Sequence, residues 1–189
     1  MRISGGRARG IPLHLPKGAV VRPATDGLRE AVFSSLGTRV MNAYCYDLFA
    51  GTGAYGLEAF SRGAAGGIFV EKSKSAIGSL RRNAEAVAKS VGGDEMPMKI
   101  EQADVLRWKP PAGHVADIIF ADPPFVEIKG WAEKLFQRFG EFLGNGADGI
   151  VVFEMPGELE LESPGWKLER RIGRGRGQPT CCLYRRASE

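Results

Sequence analysis

The stretch YDLFAGTGAYGLEAF, Tyr46 to Phe60, joins an apolar strand-like run to a helix-like one through Gly51, Gly53 and Gly56. That G-x-G-x-x-G spacing marks a tight strand-to-helix turn whose backbone something approaches closely. A chain that must turn this way is committed to beginning a strand–helix–strand unit, and the sequence on either side continues the alternation. Strand GGIFVE follows, then a helical stretch from about Ser73 to Ser90 and a short strand near MKIEQA. VADIIFADPP is a buried apolar strand stopped by two prolines. KGWAEKLFQRFGEFL spaces Trp131, Leu135, Phe139 and Phe142 as a helix, and GIVVFEM is a further strand. Strands alternating with helices predict a mostly parallel central sheet with helices on both faces. WKLERRI and TCCLYRR have no helix between them, so they are expected as an antiparallel hairpin at one edge.

Ahead of this region, RPATDGLREAVFSSL places Thr25 or Asp26 as a helix N-cap and brings Leu28, Val32, Phe33 and Leu36 to one face. We therefore divide the chain into a basic N-terminal extension with a helix, residues 1–40, and a main domain, residues 41–189. A length of 189 residues suits one sizeable core. No apolar run approaches the ~20 residues of a membrane span. The start, MRISGGRARG, carries arginines without the apolar stretch of a signal peptide, so a cytoplasmic protein without membrane contact is expected. A monomer is the expected state.

Charge is unevenly spread. Residues 1–40 hold seven Lys/Arg against two Asp/Glu, and so do residues 166–189, while the middle of the chain is net −6. Basic flanks around an acidic centre suit a phosphate-rich partner, because each phosphate neutralised releases condensed counterions. Arg7, Arg9, Arg22, Arg29, Arg174 and Arg176 are the candidate RNA contacts. Cys45, Cys181 and Cys182 show no metal-ligand spacing and are expected to be buried thiols, with no metal bound. His14 and His114 lie far apart in polar sequence and are not candidates for catalysis.

What the glycine loop holds is decided by its neighbours. In such sheets ligands lie at the carboxyl ends of the strands, and acidic residues recur there: Asp47, Glu71, Asp104 and Asp122. A nicotinamide dinucleotide would welcome Glu71 on its ribose, but further carboxylates beside a pyrophosphate repel it. No Lys or Arg occurs from Ala43 to Ser61. A cofactor with no phosphate and a cationic head fits better. S-adenosylmethionine has that character, with its ribose diol for Glu71 and its adenine amine for Asp104.

The run ADPPF adds the second half of a site. Asp122 at the end of an apolar strand, followed by Pro123, Pro124 and Phe125, forms a rigid turn that holds an acceptor and an aromatic ring together. An exocyclic amine on a base is a poor nucleophile because its lone pair is delocalised. The Asp122 carboxylate and Pro123 carbonyl can each accept an amine hydrogen and aim that lone pair, while Phe125 stacks on the ring.

DLFAGTGAYGLEAFSRGA, FVE and DPPF resemble the class I S-adenosylmethionine-dependent amino-methyltransferases, a Rossmann-like α/β fold. RISGGRARG and RPATDGLREAVFSSL resemble the 16S rRNA guanine-N2 methyltransferases of RsmD type. The likeness covers nearly the whole chain, departing at Ser4, where the family usually has an apolar residue, and at Gly27, where it usually has arginine. It implies that Asp47, Gly51, Gly53 and Glu71 bind S-adenosylmethionine, with Phe49, Gly56, Asp104 and Val105 completing that set. It further implies that Asp122, Pro123, Pro124 and Phe125 take a guanine of 16S rRNA, within an assembled or partly assembled small ribosomal subunit. The competing readings are an amino-methyltransferase for adenine N6 or a protein glutamine, an NAD-binding oxidoreductase, and a non-catalytic RNA-binding module.

Overall fold

A computed structural model describes residues 1–16, 25–93, 97–144, 148–173, 175 and 177–187. Arg22, Arg174 and Arg176 lie outside the described residues. Seven strands form one sheet: β1 (Tyr44–Leu48), β2 (Gly66–Glu71), β3 (Met98–Gln102), β4 (Ile118–Ala121), β5 (Ile150–Pro156), β6 (Trp166–Ile172) and β7 (Pro179–Arg186). Their order across the sheet is β3-β2-β1-β4-β5-β7-β6. The first five run parallel, and β7 inserts antiparallel between β5 and β6, so the expected hairpin closes one edge. From β1 the chain winds outward to β3, then returns to lay β4 on the other side of β1. The crevice at the β1/β4 ends is thus the topological switch point, where α/β sheets bind ligands.

Alternation along the strands divides the core into two layers. Cys45, Phe69, Phe120, Val152 and Cys181 face helix α1 (Thr25–Leu36), helix α2 (Ala54–Ser61) and helix α3 (Lys74–Ser90), which contribute Phe33, Leu57 and Leu80. Tyr46, Ile119, Val151, Phe153 and Tyr184 face the other way, against Leu135, Phe136, Phe139 and Phe142 of helix α4 (Ile128–Phe142). Helix α3 begins where the Ser73 hydroxyl accepts the Ala76 amide at 3.3 Å, satisfying one of the free N–H groups of its first turn. Among the described residues no helix is long and apolar enough to cross a membrane.

Two features were not legible in advance. Strand β1 stops at Leu48 because Phe49 adopts φ 61°, a left-handed conformation that breaks the ladder. The basic start is folded: Arg2 bridges Pro12, and the Ile3 amide donates to the Ile11 carbonyl at 2.9 Å. This loop docks on the end of α2, where Ser61 accepts the Arg7 and Ala8 amides at 2.8 and 2.9 Å, and it buries Ile3, Ala8 and Leu13 in the first core layer.

Candidate active site

The glycine turn is shaped from beneath. The Asp47 carboxylate accepts the Gly56 amide at 2.8 Å, fixing the first turn of α2 against the end of β1. Gly56 is buried where a Cβ would lie 2.3 Å from the Phe69 ring, so its role is close helix–sheet packing. Gly53 combines φ 80° with a Cβ position 2.2 Å from Leu80. Gly51 is half-buried, with φ 54°, and its amide donates to Glu71 at 2.8 Å.

Glu71 closes β2 and accepts the Ser73 amide at 2.7 Å through its other oxygen. A carboxylate has about four lone-pair sites, so two backbone donors leave room for the two hydroxyls of a ribose. Beside it lies a cleft of about 430 Å³ lined by Phe49, Glu71, Ala103, Asp104, Val105, Asp122 and Pro124, joined by Lys72, Ser73 and Trp131. This volume lies within the range of cofactor pockets. Asp104 receives the Leu106 amide at 3.0 Å and the exposed Lys72 ammonium at 3.6 Å. Phe49 stacks on Trp131, with centroids 6.2 Å apart and planes 15° from parallel. Among the described residues no cluster of His, Cys, Asp and Glu is suited to a metal ion.

Residues 122–125 stand at the same cleft. The Asp122 amide donates to the Leu48 carbonyl at 3.5 Å, continuing the β1–β4 ladder by one residue. Pro123 is buried, Pro124 is exposed, and the half-buried Phe125 begins a 3₁₀ turn that leads into α4. The D-P-P-F run therefore presents its acid next to the glycine turn and the strand-end Glu71. A methyl donor and an acceptor amine can meet there.

Comparison with known proteins decides the family. The family described as conserved hypothetical protein 95 matches residues 1–185. Ribosomal RNA small subunit methyltransferase D of Escherichia coli is 31% identical over 191 residues, covering 100% of this chain and 91% of that protein. The protein of that name from Buchnera aphidicola of Acyrthosiphon pisum is 32% identical over 70% of this chain and 72% of its own. The solved structure of the E. coli methyltransferase yhhF superposes with a TM-score of 0.80 at 31% identity, covering 100% of this chain and 99% of that one. The chain belongs to the ribosomal RNA small subunit methyltransferase D family. Its sheet, mostly parallel with an antiparallel hairpin at the edge, is the Rossmann-like class I methyltransferase fold. The cofactor of such an rRNA methyltransferase is S-adenosylmethionine, and the cleft, with its strand-end carboxylates and two stacked rings, fits it.

Within this family member the structure sorts the residues singled out from sequence. Phe49, Glu71, Asp104, Val105 and Asp122 line one cleft. Asp47 is not among the residues that line it: the side chain is buried under the loop and accepts the Gly56 amide. Burial pushes the Asp47 carboxyl well above the usual carboxylate range, the Gly56 amide opposes this, and the charges of Asp122 and Glu71 add to the rise. Gly53 and Gly56 likewise shape the turn from inside.

Arg29 requires correction as an RNA contact. It is 1% exposed, pairs with Glu58 at 3.4 Å and Asp26 at 2.9 Å, and donates to the Arg2 carbonyl. Its guanidinium therefore cross-links α1, α2 and the N-terminal loop. Ser4, the departure from the family pattern, joins the same network, its amide and hydroxyl donating to Glu58 at 2.7 and 2.8 Å. Arg7 and Arg9 remain exposed at the tip of the loop, where Arg7 donates to the Val91 carbonyl at 2.5 Å.

Trp131, Tyr55 and Glu154 are the site-proximal residues that the sequence did not reveal. Trp131 shares the apolar spacing of α4, so periodicity assigns it to the core. Its place one turn into the helix after D-P-P-F was the available signal.

Proposed function

We propose that this protein transfers a methyl group from S-adenosylmethionine to the exocyclic N2 amine of a guanine in 16S rRNA. The observation that carries the reading is the shared cleft of Glu71 and Asp122, at the ends of the two strands that flank β1, which brings a ribose-binding acid and an amine-aiming acid to one crevice. When bound, the cofactor supplies an electrophilic methyl on a sulfonium. Glu71 accepts the ribose hydroxyls and Asp104 the adenine amine, while Phe49 and Val105 give apolar contact. Asp122 and the Pro123 carbonyl accept the two amine hydrogens of the guanine, turning its lone pair out of conjugation and toward the methyl. Phe125 stacks on the base. Asp122 then stabilises the positive charge that develops on nitrogen, electrostatic help of the kind that dominates many enzymes.

In this reading residues 1–40 form the RNA-contacting extension and residues 41–189 the catalytic domain. Arg7 and Arg9, with Arg22, Arg174 and Arg176, meet rRNA phosphates. The substrate is an assembled or partly assembled small subunit in the cytoplasm, and the enzyme acts as a monomer. The names of the relatives given above support an rRNA target, and the exposed arginine-bearing loop supports phosphate contact. The test is incubation of small subunits from a strain lacking the enzyme with methyl-labelled S-adenosylmethionine, followed by mass analysis of the rRNA nucleosides. N2-methylguanosine at one position in 16S rRNA is expected. N6-methyladenosine, or no incorporation into either naked rRNA or subunits, would overturn the reading.

A further inference from the structure

A buried acid, Glu154, stands beside the half-buried Asp122. In the parallel β4–β5 pair Ala121 is opposite Phe153. Asp122 and Glu154 are the next residue on each strand, about 4.8 Å apart along the hydrogen-bonding direction. Two residues back, Phe120 and Val152 belong to the same core layer, so alternation directs both acids to one face of the sheet. Tyr55, from the glycine turn, lies against that face. Its ring stacks on Phe120 with centroids 5.4 Å apart, and its hydroxyl donates to Glu154 at 2.7 Å while touching the Cys181 sulfur at 3.1 Å. Burial pushes the Tyr55 hydroxyl well above its ordinary range, with the charges of Glu154 and Asp122 adding to the rise. The hydroxyl therefore stays protonated and available as the donor that holds the Glu154 carboxylate.

We infer that Glu154 is a specificity-determining residue that accepts the N1–H of the target guanine while Asp122 takes the neighbouring N2 amine. The inference rests on the guanine-N2 reading above. Guanine presents N1–H and the N2 amine side by side, a donor pair matched by one acid at the end of β4 and a second within the neighbouring β5. In adenine the ring nitrogen beside the amine is an acceptor, which a carboxylate repels. A D-P-P-F turn alone aims an amine without distinguishing these bases; Glu154 supplies the distinction. Tyr55 is the positioning residue, orienting the carboxylate from the first turn of α2. Accepting N1–H also increases electron density at N2, which favours its attack on the methyl.

The test uses the full-length enzyme and 16S rRNA whose mapped target guanine is replaced by 2-aminopurine, which keeps the amine at C2 but has a lone pair at N1. Single-turnover methylation by the parent should fall by ~100-fold or more, as when a buried acceptor loses its donor. Glu154→Gln, whose amide can donate to that lone pair, should narrow the ratio of guanine to 2-aminopurine rates at least tenfold, with affinity for S-adenosylhomocysteine within twofold of the parent. Tyr55→Phe should lower the rate on guanine without changing that affinity. A parent that methylates both RNAs at similar rates would overturn the inference without any variant, as would a Gln variant with the parent's ratio. Absence of guanine methylation by the parent would instead remove the underlying reading.

Discussion

Asp47 and Gly56 are joined across the glycine turn, the buried carboxylate of one accepting the backbone amide of the other at 2.8 Å. The acid belongs to β1 and the amide to α2, so this bond sets the angle at which the helix leaves the sheet and hence the mouth of the cleft.

The first prediction concerns pH. A carboxyl whose pKa is raised by folding binds its proton more tightly in the native state. It therefore adds stability below its unfolded value of 3.8 and loses that contribution as pH rises through the folded value. Asp47→Asn keeps an acceptor for the Gly56 amide but cannot ionise. Urea unfolding of both proteins over a pH series should show the difference shifting in favour of asparagine as pH rises above about 4. A difference that does not vary with pH would mean that Asp47 is as well solvated folded as unfolded.

Glu71 has a different burden, because it accepts the Gly51 and Ser73 amides and, in the proposed reading, the ribose hydroxyls as well. Glu71→Ala should weaken binding of S-adenosylhomocysteine by roughly 1.5–3 kcal/mol, the usual worth of hydrogen bonds to a charged group. Glu71→Gln should fall between, since one amide oxygen can replace one acceptor site. Calorimetry reads this directly; unchanged affinity in the alanine variant would place the ribose elsewhere.

Arg29 and the tip arginines should part company. Arg29→Met leaves the Glu58 carboxylate, itself fully buried, without one of its two cations, and breaking a buried pair in this way costs about 3–5 kcal/mol. Arg62 at 2.8 Å and the Ser4 donors keep the loss toward the lower end. The salt dependence of RNA binding should be unaltered in any folded Arg29 variant, whereas alanine at both Arg7 and Arg9 should reduce its slope by one to two. An unchanged slope in that double variant would make the loop tip a solvated surface.

The contrast between Arg29 and Arg7 shows where the sequence was legible. Element types followed from periodicity and turn residues: GGIFVE coincides with β2, and Val32, Phe33 and Leu36 are buried on α1 as their spacing requires. Three of the four strand-end carboxylates, Glu71, Asp104 and Asp122, came out in one cleft because parallel strands align their ends whatever the helices do. Long-range partners were not legible. Arg29 reads as one more basic residue of a basic flank until Glu58, 29 positions away, is seen beside it. Asp47 has the same difficulty in reverse, since an acid at a strand end can face either the ligand or the loop that holds it. Glu154 and Cys181 are brought together by the β5–β7 register, which the hairpin pattern could not specify.

The last prediction separates binding from chemistry at Asp122. If this acid aims the amine, Asp122→Ala should leave S-adenosylhomocysteine affinity near normal, because the proposed reading assigns the ribose and adenine contacts to Glu71 and Asp104. Single-turnover methyl transfer should nevertheless drop by ~100-fold or more, the scale of losing one pre-organised polar contact to a developing charge. Asp122→Asn sharpens the test. Asparagine preserves shape and one acceptor oxygen but not the negative charge, so substantial residual activity means that alignment of the lone pair dominates, and activity as low as alanine's means that charge stabilisation does. Phe125→Leu should act on placement, weakening productive RNA binding by roughly 1–3 kcal/mol if the ring stacks on the base, with tyrosine tolerated. Methyl transfer by Asp122→Ala at the parent rate on the natural subunit would reduce the D-P-P-F turn to a cap on β4 and leave the amine-aiming group to be sought on another strand end.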